Sequence, residues 1–563
     1  MLLAALALGW HLDGYRLLDP DEGRNAEVAR EMARSNDYVL PHLDGLPYLD
    51  KPVVYFAAAA GLMELLGPTE LAARLPAYLA TLATIGLLVW FARRRWGERD
   101  ASWLAGLAYA TMVLPLAYAR TAIFDSTLTL CTTAAILACF EERPVPAWAA
   151  MAVGALTKGP IALAIPLLAL VAYALATGSP VRALFPKRGL AVFAAIALPW
   201  FIVVSARHPE FPYYVFVRET FQRVTTPSFH RTAPLWYYLP IVPLAAFPWM
   251  VPALARIGGW GGHRWREAWR ARRAPGMREP LLFACWVIVP LVLLTFNQSK
   301  LPQYMLPLMP AFALAATRNL VTHGVGTGAR VYAAVALVAG VALIALTRWL
   351  PAPISLTPAE KAAIPPTAAA LGVAVLVSGA LVIAGALRRS PRVVAAGYAV
   401  VVMAIPFVSD RLLAAVGEDR SSAPVAVATA VALAQSSRGS AAVLGVAAYP
   451  PSLPFYLGRT IAVATATGTE LTSNYIADYY SRYQAVPDSP LLPAGYWRDV
   501  RARCPVPTVF VTRAGNREVR AALEAAAPAP LRLLAADGHY AAYGPCEPHP
   551  LTPSPQRGEG EGG

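Results

Sequence analysis

Apolar runs long enough to cross a bilayer recur along this chain, separated by short polar stretches. That pattern predicts a polytopic helical membrane protein. Run length alone suggests about thirteen spans. They fall near residues 1–12, 71–91, 101–118, 124–140, 145–156, 160–176, 190–206, 236–254, 281–296, 304–320, 331–349, 367–387 and 393–408. The first run is short for a span, so part of its helix is expected upstream of Met1. It also lacks the basic start and small-residue cleavage site of a secretory leader. One stretch breaks the pattern. From Asp19 to Phe56 the chain reads DPDEGRNAEVAREMARSNDYVLPHLDGLPYLDKPVVYF, polar and charged. Within it, Asp19-Pro20-Asp21-Glu22 reads as a helix start, with Asp19 as cap, Pro20 at the first position and Glu22 able to close a capping box. Ala26, Ala29, Met32 and Ala33 then line one face, which predicts an amphipathic interfacial helix over Asp21–Ser35. Residues 53–66 read as a second interfacial or re-entrant segment.

Positive charge predicts the orientation. The loops after even-numbered spans carry Arg93, Arg94, Arg95 and Arg99; Arg182, Lys187 and Arg188; Arg264 to Arg278; and Arg388, Arg389 and Arg392. Short basic loops belong in the cytoplasm. The other loops, among them residues 13–70, 207–235 and 297–303, then lie outside, and an odd number of spans puts the C-terminal part outside too. Composition agrees: 57% of the 563 residues are hydrophobic and 15% charged, less charge than a soluble protein of this size carries. The net charge of +14 would suit nucleic acid, but no soluble basic domain accompanies it.

Residues 421–545 change character, alternating short apolar runs with turn residues as strands do. VPTVFVTR is a strand candidate and REVRAALEAA a short helix. The predicted organisation is a membrane domain over residues 1–410, a small α/β domain outside the membrane over residues 421–545, and a disordered tail over residues 546–563. Cys131, Cys139 and Cys285 lie in apolar runs and read as small core residues. Cys504 and Cys546 are able to pair if their region is outside the cytoplasm.

The outer loops hold cations that run against the orientation rule: Arg24, Lys51, Arg218, Arg223, Arg231 and Lys300. Such residues are candidates for binding an anion. Acidic Asp21 and Glu22 complement a helix dipole in a first turn, and Asp21 is equally placed to orient or deprotonate a nucleophile. Lys51 reads either as a snorkelling side chain or as a fixed cation for a lipid-linked phosphate. Asp125 and Lys158 lie at span edges on the same predicted face, where intramembrane charge points to function. Lys300 and Tyr304 stand at the outer mouth of the tenth span, and Asp50 with His230 is a sparse metal signal.

Taken in order, DPDEGRNAEVAREM, YLDKPVVYF, ARTAIFDSTLTL, LTKGPIALAIP, FHRTAPLWYYLP and SKLPQYMLPL resemble the membrane glycosyltransferases of the aminoarabinose transferase and protein mannosyltransferase superfamily. SLPFYLGRTIAV extends the likeness loosely into the outer domain. The resemblance implies a C-type glycosyltransferase fold and transfer of a sugar from a polyprenyl-phosphate donor to lipid A or another envelope acceptor, outside the cytoplasmic (inner) membrane. It implies a catalytic role for Asp21, paired with Glu22, and a second acidic position at Asp125. Arg24 and Lys51 match positions that hold the donor phosphate. Lys158, Arg223, Lys300 and Tyr304 match further cavity positions, and Asp50 with His230 matches a pair able to bind a divalent metal. The chain departs from the family at Asp50, where Glu is common, and at Gln303, where Thr is usual.

Fixed cations beside a departing lipid phosphate stabilise the charge it gains. No Gly-rich phosphate loop is present, which fits a lipid donor better than a nucleotide sugar. Two competing readings are a protein O-glycosyltransferase using the same donor class and a lipid flippase or transporter. Transporters show internal repeats and midplane polar residues. Here the charges gather on one predicted face.

Overall fold

The structure is a computed structural model that describes residues 2–222, 232–255, 266–267, 269–347, 356–436, 441–526 and 529–547. The chain forms two compact units. The first comprises Met1–Leu17, Arg24–Leu43 and Pro47–Gly417, the second Leu18–Gly23, Asp44–Leu46 and Glu418–Gly563.

The first unit is helical. It opens with α1 (Leu2–Gly9), α2 (Asp21–Ser35, from Arg24 onward), α3 (Val54–Leu66), α4 (Glu70–Trp96), α5 (Arg99–Ala110) and α6 (Val113–Ala119). Next come α7 (Asp125–Phe140), α8 (Pro144–Lys158), α9 (Ile161–Thr177) and α10 (Lys187–Arg207). Among the described residues, six helices are long and apolar enough to cross a membrane, and α5 with α6, bent by 67°, would make a seventh. Local chemistry sets their ends. Thr69 caps α4 by accepting the Ala72 N–H at 3.2 Å, Arg93 to Arg95 occupy its last turn, and Gly97 closes it in the left-handed region at φ 69°. Cations there complement the negative helix end. Thr357 and Glu360 form a full capping box for Pro358–Leu387, with Pro358 at its first position.

Three predicted spans are less regular than their run length suggests. The run at 101–118 breaks at Thr111–Met112, because Pro115 has no N–H for the Thr111 carbonyl and its ring crowds that carbonyl. The run at 236–254 is divided into Leu235–Tyr237, Tyr238–Ala245 and Met250–Ala253. The run at 304–320 starts as a 3-10 segment, Pro302–Leu308, before the helix Met309–His323. Buried tryptophans pin these breaks. Trp249 Nε1 donates to Thr111 Oγ1 at 2.8 Å, and Trp286 Nε1 donates to the Pro307 carbonyl at 2.9 Å. Both rings are fully buried.

The second unit is α/β, as predicted. Its strands are β1 (Ala442–Val446), β2 (Ala462–Thr465), β3 (Leu491–Pro493), β4 (Thr508–Arg513), β5 (Leu533–Ala536) and β6 (Tyr540–Cys546). They order as β3-β2-β1-β4-β6-β5. The first four are parallel, with Leu444 opposite Phe510 and Ala462, while β6 runs antiparallel to β4 and β5. Parallel strands are buried on both faces and read as apolar runs, which is why VPTVFVTR was legible. Leu444, Val446, Phe510, Trp497, Leu523 and Tyr543 form the core. Cys546, expected at the head of a disordered tail, instead ends β6 and is disulfide-bonded to Cys504.

The bridge closes a separation of 42 residues, and chain-entropy reasoning assigns such a loop about 4 kcal/mol. Replacing both cysteines by serine is expected to destabilise the second unit by that order. Thermal unfolding of the full chain in detergent checks this; unchanged melting would show that the bridge adds nothing.

Candidate active site

The strongest constellation in the first unit arises where two helices end. Asp125 is the first residue of α7 and Lys158 the last of α8. A carboxylate at a helix N-terminus and an ammonium at a C-terminus each complement their own dipole. Packing α7 against α8 brings the two together: Lys158 Nζ lies 2.5 Å from Asp125 Oδ1, with the side chains 12% and 1% exposed. The ammonium also sits 4.9 Å from the centre of the Tyr304 ring and 5.1 Å from that of Phe124. A cation over two aromatic faces is further stabilised. The surroundings hold this pair in place. Ser126 Oγ donates to the Tyr118 carbonyl at 2.8 Å, and the Tyr118 hydroxyl donates to Gln303 Oε1 at 3.1 Å. Asn25 on α2 donates to the Ala122 carbonyl at 2.9 Å, fixing the approach to Asp125. Asp125, Lys158 and Tyr304, three predicted site residues from distant parts of the chain, thus form one cluster.

A second cluster surrounds Lys51. Its Nζ lies 3.2 Å from Glu219 Oε2 and donates to the Asp50 carbonyl at 2.6 Å. The buried Tyr214 hydroxyl donates to Asp50 Oδ1 and lies 3.4 Å from Glu219 Oε1. Tyr214 and Glu219 belong to a π-helical segment, Tyr214–Gln222. Their five-residue spacing matches the wide turn of that helix. No ordinary helical spacing pairs them, so the sequence does not place Tyr214 and Glu219 together. Arg24 is buried in α2. Lys300 is buried too and donates to the Ala233 carbonyl at 3.0 Å; burial lowers the pKa of its ammonium.

Arg223 and His230 lie outside the described residues, as does Arg231. Among the described residues no three His, Cys, Asp or Glu side chains stand close enough to hold a metal. Asp50, half of the expected metal pair, is engaged by Tyr214. The described residues alone therefore do not compose a metal site.

Asp21 and Glu22 belong to the second unit. They begin α2 as predicted. Glu22 Oε2 accepts the Leu18 N–H at 3.0 Å, so the carboxylate reaches back as a capping box requires, one residue further than expected. Asp19, expected as the cap, accepts the Ser452 hydroxyl at 2.8 Å. The residue is half-buried, but its Oδ1 is sealed from solvent. Burial pushes its carboxyl up to about 8, against the pull of hydrogen bonds from Ser452 and Ser422.

Comparison with known proteins gives three concordant likenesses. A family model described as dolichyl-phosphate-mannose-protein mannosyltransferase matches residues 50–206, a segment containing Lys51, Asp125 and Lys158. The chain is 32% identical over 317 residues to the undecaprenyl phosphate-alpha-4-amino-4-deoxy-L-arabinose arabinosyl transferase of Aeromonas salmonicida, covering 54% of this chain and 56% of that protein. It is 32% identical over 327 residues to the protein of the same description from Pectobacterium carotovorum, covering 56% and 57%. The chain thus spans a little over half the length of the curated relatives it matches. Among solved structures it is similar to ArnT from Cupriavidus metallidurans bound to undecaprenyl phosphate. There the TM-score is 0.75 and the identity 27%, with 97% of each chain covered. The apo state of that protein gives a TM-score of 0.75 at 26% identity, over 97% of this chain and 96% of that one. All three support the superfamily of membrane glycosyltransferases that the sequence motifs resemble.

The Asp19 carboxyl sets a pH dependence. Its ordinary value is 3.8 and its folded value about 8. Between these, the unfolded chain releases a proton that the fold retains, so the fold loses stability as pH rises through the window. Asp19→Asn stays neutral and is expected to gain melting temperature over wild type progressively from pH 4 to pH 8. A difference that stays constant across this range would contradict the assignment.

Proposed function

We propose that this chain, as a relative of that superfamily, is a multi-pass glycosyltransferase of the cytoplasmic membrane. It moves a sugar from a polyprenyl phosphate to lipid A, or to another envelope acceptor, on the outer face. The observation that carries this reading is the ammonium of Lys158 held between Asp125 and two aromatic rings among apolar helices. A desolvated charge set of this kind is costly and points to function at a membrane edge. The names of the similar proteins make an undecaprenyl-phosphate-linked 4-amino-4-deoxy-L-arabinose the donor to try first.

In the proposed reaction the acceptor oxygen attacks the anomeric carbon. A new bond forms from that carbon to the acceptor oxygen, the bond to the phosphate oxygen breaks, and the hydroxyl proton leaves to a base. The phosphate departs with added negative charge. Lys158, Lys51, Arg24 and Lys300 are the cations assigned to it, acting mainly where charge develops. Lys51 and Lys158 are paired with carboxylates in this structure, so a phosphate would share or replace those partners. Asp125 orients Lys158. Asp21 keeps the role implied by the resemblance, orienting or deprotonating the acceptor, with Glu22 beside it. Arg223 retains its proposed part in phosphate binding on the resemblance alone.

The arrangement of about thirteen spans, with basic loops inside and residues 421–545 outside, belongs to the same proposal. The disulfide of Cys504 and Cys546 supports the outer placement, since such bonds persist in oxidising compartments. A divalent metal on Asp50 and His230 is a further proposal, and no step above runs through it. A protein acceptor is the second reading, favoured by the description of the family model that matches residues 50–206.

The test is lipid A mass spectrometry in a bacterial strain lacking its own transferase of this class. Wild type is expected to add a sugar-sized mass. Lys158→Met, at matched expression, is expected to lower it about a hundredfold or more, the cost of losing one preorganised charge-stabilising group. Unmodified lipid A with new glycoproteins would favour the protein acceptor. Full modification by Lys158→Met would remove that residue from the site.

A further inference from the structure

The opening turn of α2 is clasped within the second unit by residues more than four hundred positions away. Ser452 Oγ donates to Asp19 Oδ2 at 2.8 Å across a separation of 433 residues. The same oxygen accepts the Ser422 N–H at 3.0 Å and lies 2.6 Å from Ser422 Oγ. The Asp19 N–H donates to the Arg420 carbonyl at 2.9 Å. Ser422 and Ser452 are fully buried. Gly23 completes the fit: a Cβ there would stand 2.1 Å from Asp19 Oδ1 and 2.6 Å from the Ser452 nitrogen. Only a glycine allows so close an approach. Buried hydroxyls are retained where their hydrogen bonds are satisfied, and here they serve to hold one turn of backbone.

That turn carries Asp21 and Glu22. We infer that Asp19, Ser452 and Ser422 are positioning residues for Asp21, and that SLPFY, the motif beginning at Ser452, is the seat of the catalytic turn. The inference rests on the proposed role of Asp21. Neither Asp19 nor Ser452 needs to touch the substrate. Each acts by fixing where the Asp21 carboxylate points, and a displacement near 1 Å at a reacting group costs about a hundredfold in rate. Since burial keeps the Asp19 carboxyl protonated near neutral pH, its part in the clasp is that of a neutral acceptor. An asparagine at this position supplies the same acceptor and an alanine does not.

The experiment uses the full chain in detergent with a synthetic polyprenyl-phosphate sugar as donor and lipid A as acceptor. Asp19→Ala and Ser452→Ala are expected to lower kcat about ten- to a hundredfold with donor KM within about twofold and melting still cooperative. Asp19→Asn is expected to restore kcat to near wild type. Rescue by asparagine separates positioning from any need for a charge. Should Asp19→Ala fail to fold, Ser452→Ala, which removes one hydroxyl, decides alone. Wild-type kcat in Ser452→Ala while Asp21→Asn is inactive would overturn the clasp and leave the functional reading intact. Equal activity of Asp21→Asn and wild type would instead overturn the role of Asp21, and this inference with it.

Discussion

An ammonium among apolar helices persists only where an opposite charge is fixed beside it, and the pair of Lys158 and Asp125 meets that constraint. The pair is economical because each member also satisfies a helix end. Asp125 opens α7 and Lys158 closes α8, so the dipoles that favour each charge separately direct both to the same edge of the bundle. Removing either partner leaves the other charged and buried, which is far more costly than the pair itself is favourable. The local packing of α7, α8, Phe124 and Tyr304 therefore depends on this contact, whatever anion the cation also serves.

The irregular segments follow the same logic. In a bilayer, backbone groups released by a broken helix must find partners within the protein. At one such break the buried Trp286 donates to the Pro307 carbonyl; at the other the Val113 N–H donates to the Phe247 carbonyl at 3.3 Å, while the buried Trp249 holds the Thr111 hydroxyl. The loop after α1 is met by arginines. Arg74, fully buried, donates to the carbonyls of Leu12, Tyr15 and Arg16, and its guanidinium lies 3.8 Å from the centre of the Tyr15 ring. Arg120 donates to the carbonyls of Leu8, Trp10 and His11. These two cations resemble anion-binding residues in composition, yet their donors are taken up by backbone. Lys51 and Lys158 differ in that each also faces a carboxylate, Glu219 and Asp125 respectively, so that a phosphate can compete for the ammonium. The proposed glycosyl transfer uses that difference.

Much of this architecture was legible in the one-dimensional pattern. Apolar run length depends on the bilayer and on helix rise, both properties of the backbone, so the helical character of the first unit and most of its elements could be read directly. The start of α2 at Asp21 was equally local, because proline and acidic residues favour a first turn. So was the α/β nature of the second unit, whose buried parallel strands announce themselves as short apolar runs. Asp125, Lys158 and Lys51 stood out because charge at the edge of a span is rare and therefore informative.

What the tertiary structure alone decided is which of those charges meet. Nothing in the spacing of Asp125, Lys158 and Tyr304 states that they converge; packing of α7 on α8 and the 3-10 turn at Pro302–Leu308 does that. Tyr214 and Glu219 face Asp50 and Lys51 only because their segment winds as a π-helix. Asp19 looked like a helix cap, and locally it could have been one, but a serine 433 positions away captured its carboxyl group. Local propensities act over one or two turns of chain. Pairings among buried polar groups are chosen by desolvation, which penalises every unsatisfied group wherever it lies in sequence, and so they are settled only when the whole chain has packed.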